Sequence, residues 1–121
     1  MTAEIKSYRD LKIWQKGIEL VKTVYVLTHK FPKSETFGLA SQMQRSAVSI
    51  PSNIAEGHAR QHTGEYRQFL YIALGSTAEL DTQTVIAYEL GYITKEELVK
   101  VEKDIAEIRK MTYALISHLP I

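Results

Sequence analysis

The chain has 121 residues, 45% of them apolar and 24% charged, with a net charge of +1; that is enough sequence to bury a core without staples, and the composition is not that of a disordered segment. It has no cysteine, which excludes a disulfide framework, thiolate zinc sites and cysteine nucleophile chemistry. The opening MTAEIKSYRD lacks the apolar core of a signal peptide, and the apolar run from Phe69 to Leu74 is too short to span a bilayer. The expectation is therefore one domain over residues 1–121, cytoplasmic, with no membrane partner.

The near-neutral total hides an asymmetry. Residues 1–60 carry 9 Lys and Arg against 5 Asp and Glu, a net +4, whereas residues 61–121 carry 6 against 9, a net −3. A basic face built by the first half is one consequence to test. Solvated helix surfaces of mixed sign are the plainer alternative.

Ser7 with Asp10 three residues on has the pattern of a helix start. From there Leu11, Trp14, Ile18, Val21, Tyr25 and Thr28 follow steps of three and four, an apolar seam about five turns long. Pro32 disfavours continuation beyond Phe31, and Gly17 marks a close approach of another helix. Ser34 or Thr36 then caps a second helix, which runs through QMQRSAVSIPSNIAEG (residues 42–57). There Gln42, Arg45, Ser49, Asn53 and Glu56 recur every three or four residues as one polar stripe, beside an apolar stripe of Met43, Ala47, Ile50 and Ile54. Pro51 removes one helical amide, so a kink is expected.

After a turn, Thr63 is a candidate cap for a third helix over about Gly64 to Leu90. One of its faces carries Tyr66, Phe69, Ala73, Ser76, Leu80 and Ala87. Gly91 suits the residue just past a helix end. Thr94 and Glu97 form a capping-box pattern for a fourth helix, with the seam Leu98, Val101, Ile105, Ile108, Thr112, Leu115 and Leu119. Four helices joined by short turns predict an all-α, antiparallel up-down-up-down four-helix bundle. The expected core is Trp14, Ile18, Val21, Met43, Ile50, Ile54, Phe69, Ala73, Leu80, Val101, Ile105 and Ile108. Folding the second and third helices about a turn near residue 62 makes facing positions sum to about 123 or 124. Arg45 then meets Glu79 and Glu56 meets Arg67, a structural polar brace that includes Asn53.

No motif assigns chemistry. His58 and His62 have the spacing of two helical metal ligands, but they straddle the expected turn and no third ligand is placed. They are taken as exposed turn histidines, and no metal site is assigned. A di-metal bundle needs Glu-x-x-His motifs, absent here, and neither GxxxxGK[ST] nor GxGxxG occurs. No catalytic or cofactor-binding residue is assigned, no cofactor is expected, and the protein is expected not to be an enzyme. The 7 tyrosines suit subunit contacts, with base stacking as the sharper alternative.

Four stretches together carry a family resemblance: LKIWQKGIEL around Trp14, FPKSETFGL from Phe31 to Leu39, QMQRSAVSIPSNIAEG, and FLYIALGSTAEL. Over residues 8 to 115 the chain resembles the four-helix-bundle proteins encoded in intervening sequences of bacterial 23S ribosomal RNA genes, the S23-like family. That family is similar to the accessory variability protein of diversity-generating retroelements, a basic homopentamer that binds nucleic acid and a reverse transcriptase. The resemblance implies a left-handed bundle assembling into a ring, a homopentamer. Surplus tyrosines and the two-faced second helix point to a homo-oligomer independently.

Two functions follow. In one, the ring is an assembly scaffold for a protein partner, and the basic half balances the acidic half of the neighbouring subunit. In the other, it is an RNA- or DNA-binding accessory using Lys12, Lys16, Lys22, Arg45 and Arg60, repeated around the ring.

Overall fold

The computed structural model describes residues 4–120. Within them lie four α-helices and no strand: α1 (Lys12–His29), α2 (Leu39–His58), α3 (Thr63–Glu89) and α4 (Lys95–His118), with 3-10 turns at Tyr8–Asp10 and Lys33–Glu35. Each helix packs on its neighbours in sequence, α1 packs also on α4, and no Cα atoms of the diagonal pairs α1–α3 and α2–α4 come within 8 Å. The four helices thus pack in a closed cycle, the all-α four-helix bundle expected from the periodicity.

The helix ends follow their local chemistry. Ser7 and Asp10 do form a capping box, but it closes only the 3-10 turn, and α1 begins at Lys12. Neither Ser34 nor Thr36 caps α2. Ser34 lies within the second 3-10 turn, and the Glu35 carboxylate instead accepts from the Leu39 amide at 3.2 Å. Thr63 is the first residue of α3 rather than its cap. At the end of α3, Gly91 adopts φ +80°, with Gly91 N–H donating to Tyr88 O and Tyr92 N–H to Ala87 O, both at 2.9 Å. That is a Schellman closure, which a left-handed residue without Cβ makes cheaply. Thr94 and Glu97 cap α4 reciprocally, as their spacing predicts.

The core is built from Leu20, Val24, Met43, Ala47, Ile50, Ile54, Leu70, Leu80, Val101 and Ile108 with their neighbours. In α1 the buried seam is Ile13, Gly17, Leu20, Val24 and Leu27, one position away from the expected one. Trp14, Ile18 and Val21 are only half-buried, Tyr25 is exposed, and Thr28 alone of that later seam is buried. Phe69 is likewise half-buried, and Leu70 takes its place. In α4 the last buried position is Ile116 rather than Leu115. The other expected core residues are buried.

α2 runs unbroken through Pro51, which is itself buried. A Cβ on Gly17 would lie 3.2 Å from the Pro51 Cβ, so glycine in α1 is what lets the proline ring dock there. A second such contact joins α2 to α3: a Cβ on Gly57 would lie 2.7 Å from the Phe69 Cβ.

Candidate functional site

The polar stripe of α2 lies along its boundary with α3, where the two helices are joined by hydroxyls and amides. The buried Ser46 hydroxyl donates to Gln83 Oε1 at 2.7 Å, and the Ser49 and Ser76 hydroxyls are 2.8 Å apart. Asn53 Nδ2 donates to the Ser49 carbonyl at 2.8 Å and to its hydroxyl at 2.9 Å. Short side chains make this arrangement achievable, because they let the helices approach closely enough for direct bonds. Each pair satisfies groups whose burial would otherwise be costly.

Above this seam a cleft of about 310 Å³ opens, lined by Gln42, Arg45, Ser46, Ser49 and Glu79. Arg45 and Glu79 thus reach one cleft, as the pairing rule predicts, but no ion pair joins them. The second brace does not form. Glu56 pairs with Arg60 one turn away at 2.8 Å, and Arg67 donates to the Pro120 carbonyl at 2.6 Å. A local i,i+4 partner just past the helix end is reached with less loss of side-chain freedom than one across the hairpin. On the other side of α2, a cleft of about 380 Å³ is lined by Tyr25, Ser41, Gln44, Arg45, Val48 and Ser49.

The faces flanking α4 carry charged pairs, and the α1/α4 face also holds two clefts, of about 170 and about 320 Å³. Lys16 pairs with Glu107 at 3.0 Å and Lys30 with Glu97, tying α1 to α4 by charge. Arg109 reaches from α4 to the Leu74 carbonyl at 3.2 Å and the Thr77 hydroxyl at 2.8 Å on α3. The bond from Lys30, with the Thr94 amide, holds the Glu97 carboxyl below the ordinary glutamate range.

The five candidate nucleic-acid cations come from two helices and the turn after the second. Lys12, Lys16 and Lys22 lie on α1, Arg45 in the middle of α2, and Arg60 at the α2–α3 turn. Lys16 is committed to Glu107, Lys22 lies 3.4 Å from Glu19, and Arg60 bridges Glu56 and, at 3.7 Å, Glu65. Lys12 and Arg45 make no ion pair among the described residues.

His58 ends α2 edge-on against Tyr66, with ring centroids 5.6 Å apart, and His62 is exposed in the turn. No group of three His, Asp or Glu side chains among the described residues could hold a metal ion. The Tyr66 hydroxyl is buried without a partner among those residues, and burial pushes its pKa up.

Sequence reasoning missed Gln83, Arg109 and the Glu35–Tyr92 bond, whose hydroxyl donates at 2.8 Å. Gln83 alone carried a signal: it sits between Leu80 and Ala87 on the buried face of α3, where a polar residue needs a partner.

Fold and seam together define a small four-helix-bundle protein whose polar residues join helices to one another. The chain belongs to the 23S rRNA-intervening sequence protein family, whose model matches residues 9–114. It is similar to a protein of unknown function from the S23 ribosomal protein family of Bacteroides thetaiotaomicron VPI-5482, known from a crystal structure. The two share 25% identity with a TM-score of 0.77, over 86% of this chain and 97% of that one. No curated protein matches the sequence.

Proposed function

We propose that this protein is a non-enzymatic, cytoplasmic assembly module: a homo-oligomeric ring, a pentamer by the resemblance noted above, that scaffolds a protein partner. The observation that carries this reading is the surplus of apolar surface outside the bundle core. Tyr25 on α1, Val48 on α2 and Ile72 and Ile86 on α3 are between 40% and 46% exposed. The single core does not use them, nor does it use Val99 and Tyr113 of α4, each 48% exposed. No helix among the described residues is long and apolar enough to cross a membrane, so this surface is better assigned to protein contacts.

The second reading is an RNA- or DNA-binding accessory, in keeping with the similarity to the accessory variability proteins. Its support is the net +4 of residues 1–60, which a ring would repeat. The intrachain pairing of Lys16, Lys22 and Arg60 weighs against it. Binding to structured RNA and to duplex DNA at about 50 and about 200 mM salt separates the two. The scaffold reading expects no binding at the lower salt. Binding that falls steeply between the two concentrations would replace it with the nucleic-acid reading.

A further inference from the structure

The two clefts between α1 and α4 both take in Thr23 and Lys100, so they run on from one another as a single groove. On α1 it extends from Lys16 to Leu27, which at about 1.5 Å per residue is about 17 Å, or three helical turns. Leu20 and Ile108 close the bottom of one half and Leu27 that of the other, all three buried. Val26, 67% exposed, stands seven residues beyond Glu19 on the same stripe of α1 and adds apolar surface to that rim. The lining is acidic: Glu19, Glu96, Glu97, Asp104 and Glu107 stand against Lys16 and Lys100, five acids to two lysines. Both lysines are already spent on acids of the groove itself, Lys16 on Glu107 at 3.0 Å and Lys100 on Asp104 at 2.7 Å. Glu97 is taken by Lys30. Glu96 makes no ion pair among the described residues, and Glu19 has only Lys22 at 3.4 Å, an exposed contact worth little. Two acids are thus left on the rims, one on each helix.

We propose that this groove is where the scaffold takes its protein partner, and that the partner's docking segment is a basic amphipathic helix of about three turns. Its lysines or arginines pair with Glu19 and Glu96 on the two rims, and its small apolar side chains lie over Leu20, Leu27 and Val26. The helical form follows from the walls. Their amides and carbonyls are bonded within α1 and α4, so an extended peptide would find no main-chain partners there, whereas a helix satisfies its own. Two antiparallel helices also leave a straight trough of the kind that a further helix fills along its length. The basic character follows from the charge. An acidic peptide or a phosphate backbone would meet uncompensated carboxylates on both rims, and a basic one neutralises them.

This inference deepens the scaffold reading by naming the partner's chemistry, and its test uses the full chain. The probes are two fluorescent amphipathic peptides of about 14 residues, one of leucine and lysine and the other with glutamate in place of each lysine. By fluorescence anisotropy the lysine peptide should bind and the glutamate peptide should not. Glu19→Lys combined with Glu96→Lys, both surface changes, should leave the melting temperature in place and weaken the lysine peptide by about tenfold or more. The location is read separately. The natural chain has no cysteine, so a bromoacetyl group at the middle of the lysine peptide has one thiol to meet in each single-cysteine variant. The thiolate of Thr23→Cys should displace bromide and form a thioether, whereas Gly75→Cys on α3 should react no faster than with bromoacetamide alone. No binding of the lysine peptide at about 100 μM overturns the inference. So does equal binding of the glutamate peptide, an unchanged affinity in the double variant, or alkylation of Gly75→Cys as fast as that of Thr23→Cys. The groove lies within one chain, so the outcome is separable from the assembly. A monomeric protein that binds the lysine peptide overturns the ring alone, and a discrete oligomer that does not bind it overturns this inference alone.

Discussion

Glu35 has two jobs in the loop before α2. One carboxylate oxygen caps the Leu39 amide and the other accepts from the Tyr92 hydroxyl, joining the start of α2 to the end of α3. Removing both with Glu35→Ala is expected to cost about 1–2 kcal/mol, the scale of a lost cap, read as a lower urea midpoint at unchanged slope. Glu35→Gln retains the capping oxygen and should recover most of the loss. Gly57 is tested in the other direction. A methyl group there would meet the Phe69 Cβ at 2.7 Å and the Tyr66 carbonyl at 3.2 Å, neither of which can swing away. Gly57→Ala should therefore destabilise by about 1–3 kcal/mol despite alanine's better helix propensity. A stabilised variant would show that α2 and α3 are not in close contact there.

The elements were legible to different degrees, for physical reasons. α4 was the clearest, because its capping box and its seam from Leu98 to Thr112 specify the same helix. α1 was displaced by one position because it carries two overlapping apolar seams. The larger side chains, Trp14 and Tyr25, lie on the outer one, while the buried one passes through Gly17, whose value is the contact with Pro51. The α2–α3 pairing rule brought Arg45 and Glu79 to one cleft but could not foresee that Glu56 would turn to Arg60. Nor could it place Gln83 opposite Ser46, about a turn off the level that a fixed sum assigns. At this scale Gln83→Ala should cost about 2 kcal/mol, the loss of a buried hydrogen bond and of the volume that made it. Thermal or urea denaturation measures this directly, and a loss under about 0.5 kcal/mol would mean the seam is solvated.

The charge pairs of α4 give that element a pH dependence. Glu97 is held below the ordinary carboxylate range first by Lys30 and then by the Thr94 amide. Its contribution to stability is therefore complete above the unfolded-state pKa and is lost as pH falls through the lower, folded-state value. In Glu97→Gln that portion of the acid destabilisation should vanish, while stability near neutrality drops. An unchanged acid limb would show that Lys30 and Glu97 do not interact in solution.

For the whole molecule, the basic first half and the acidic second half meet in part inside one chain, since Lys16 of α1 and Lys30 just past it pair with Glu107 and Glu97 of α4. What the single bundle leaves unexplained is the apolar surface outside its core, which the proposed assembly would cover. The most direct test of that account is the mass of the natural protein in solution by size exclusion coupled to light scattering, from micromolar concentration upward. The account predicts one discrete oligomer, a pentamer by the resemblance, stable on dilution. A species of monomer mass across that range would contradict it.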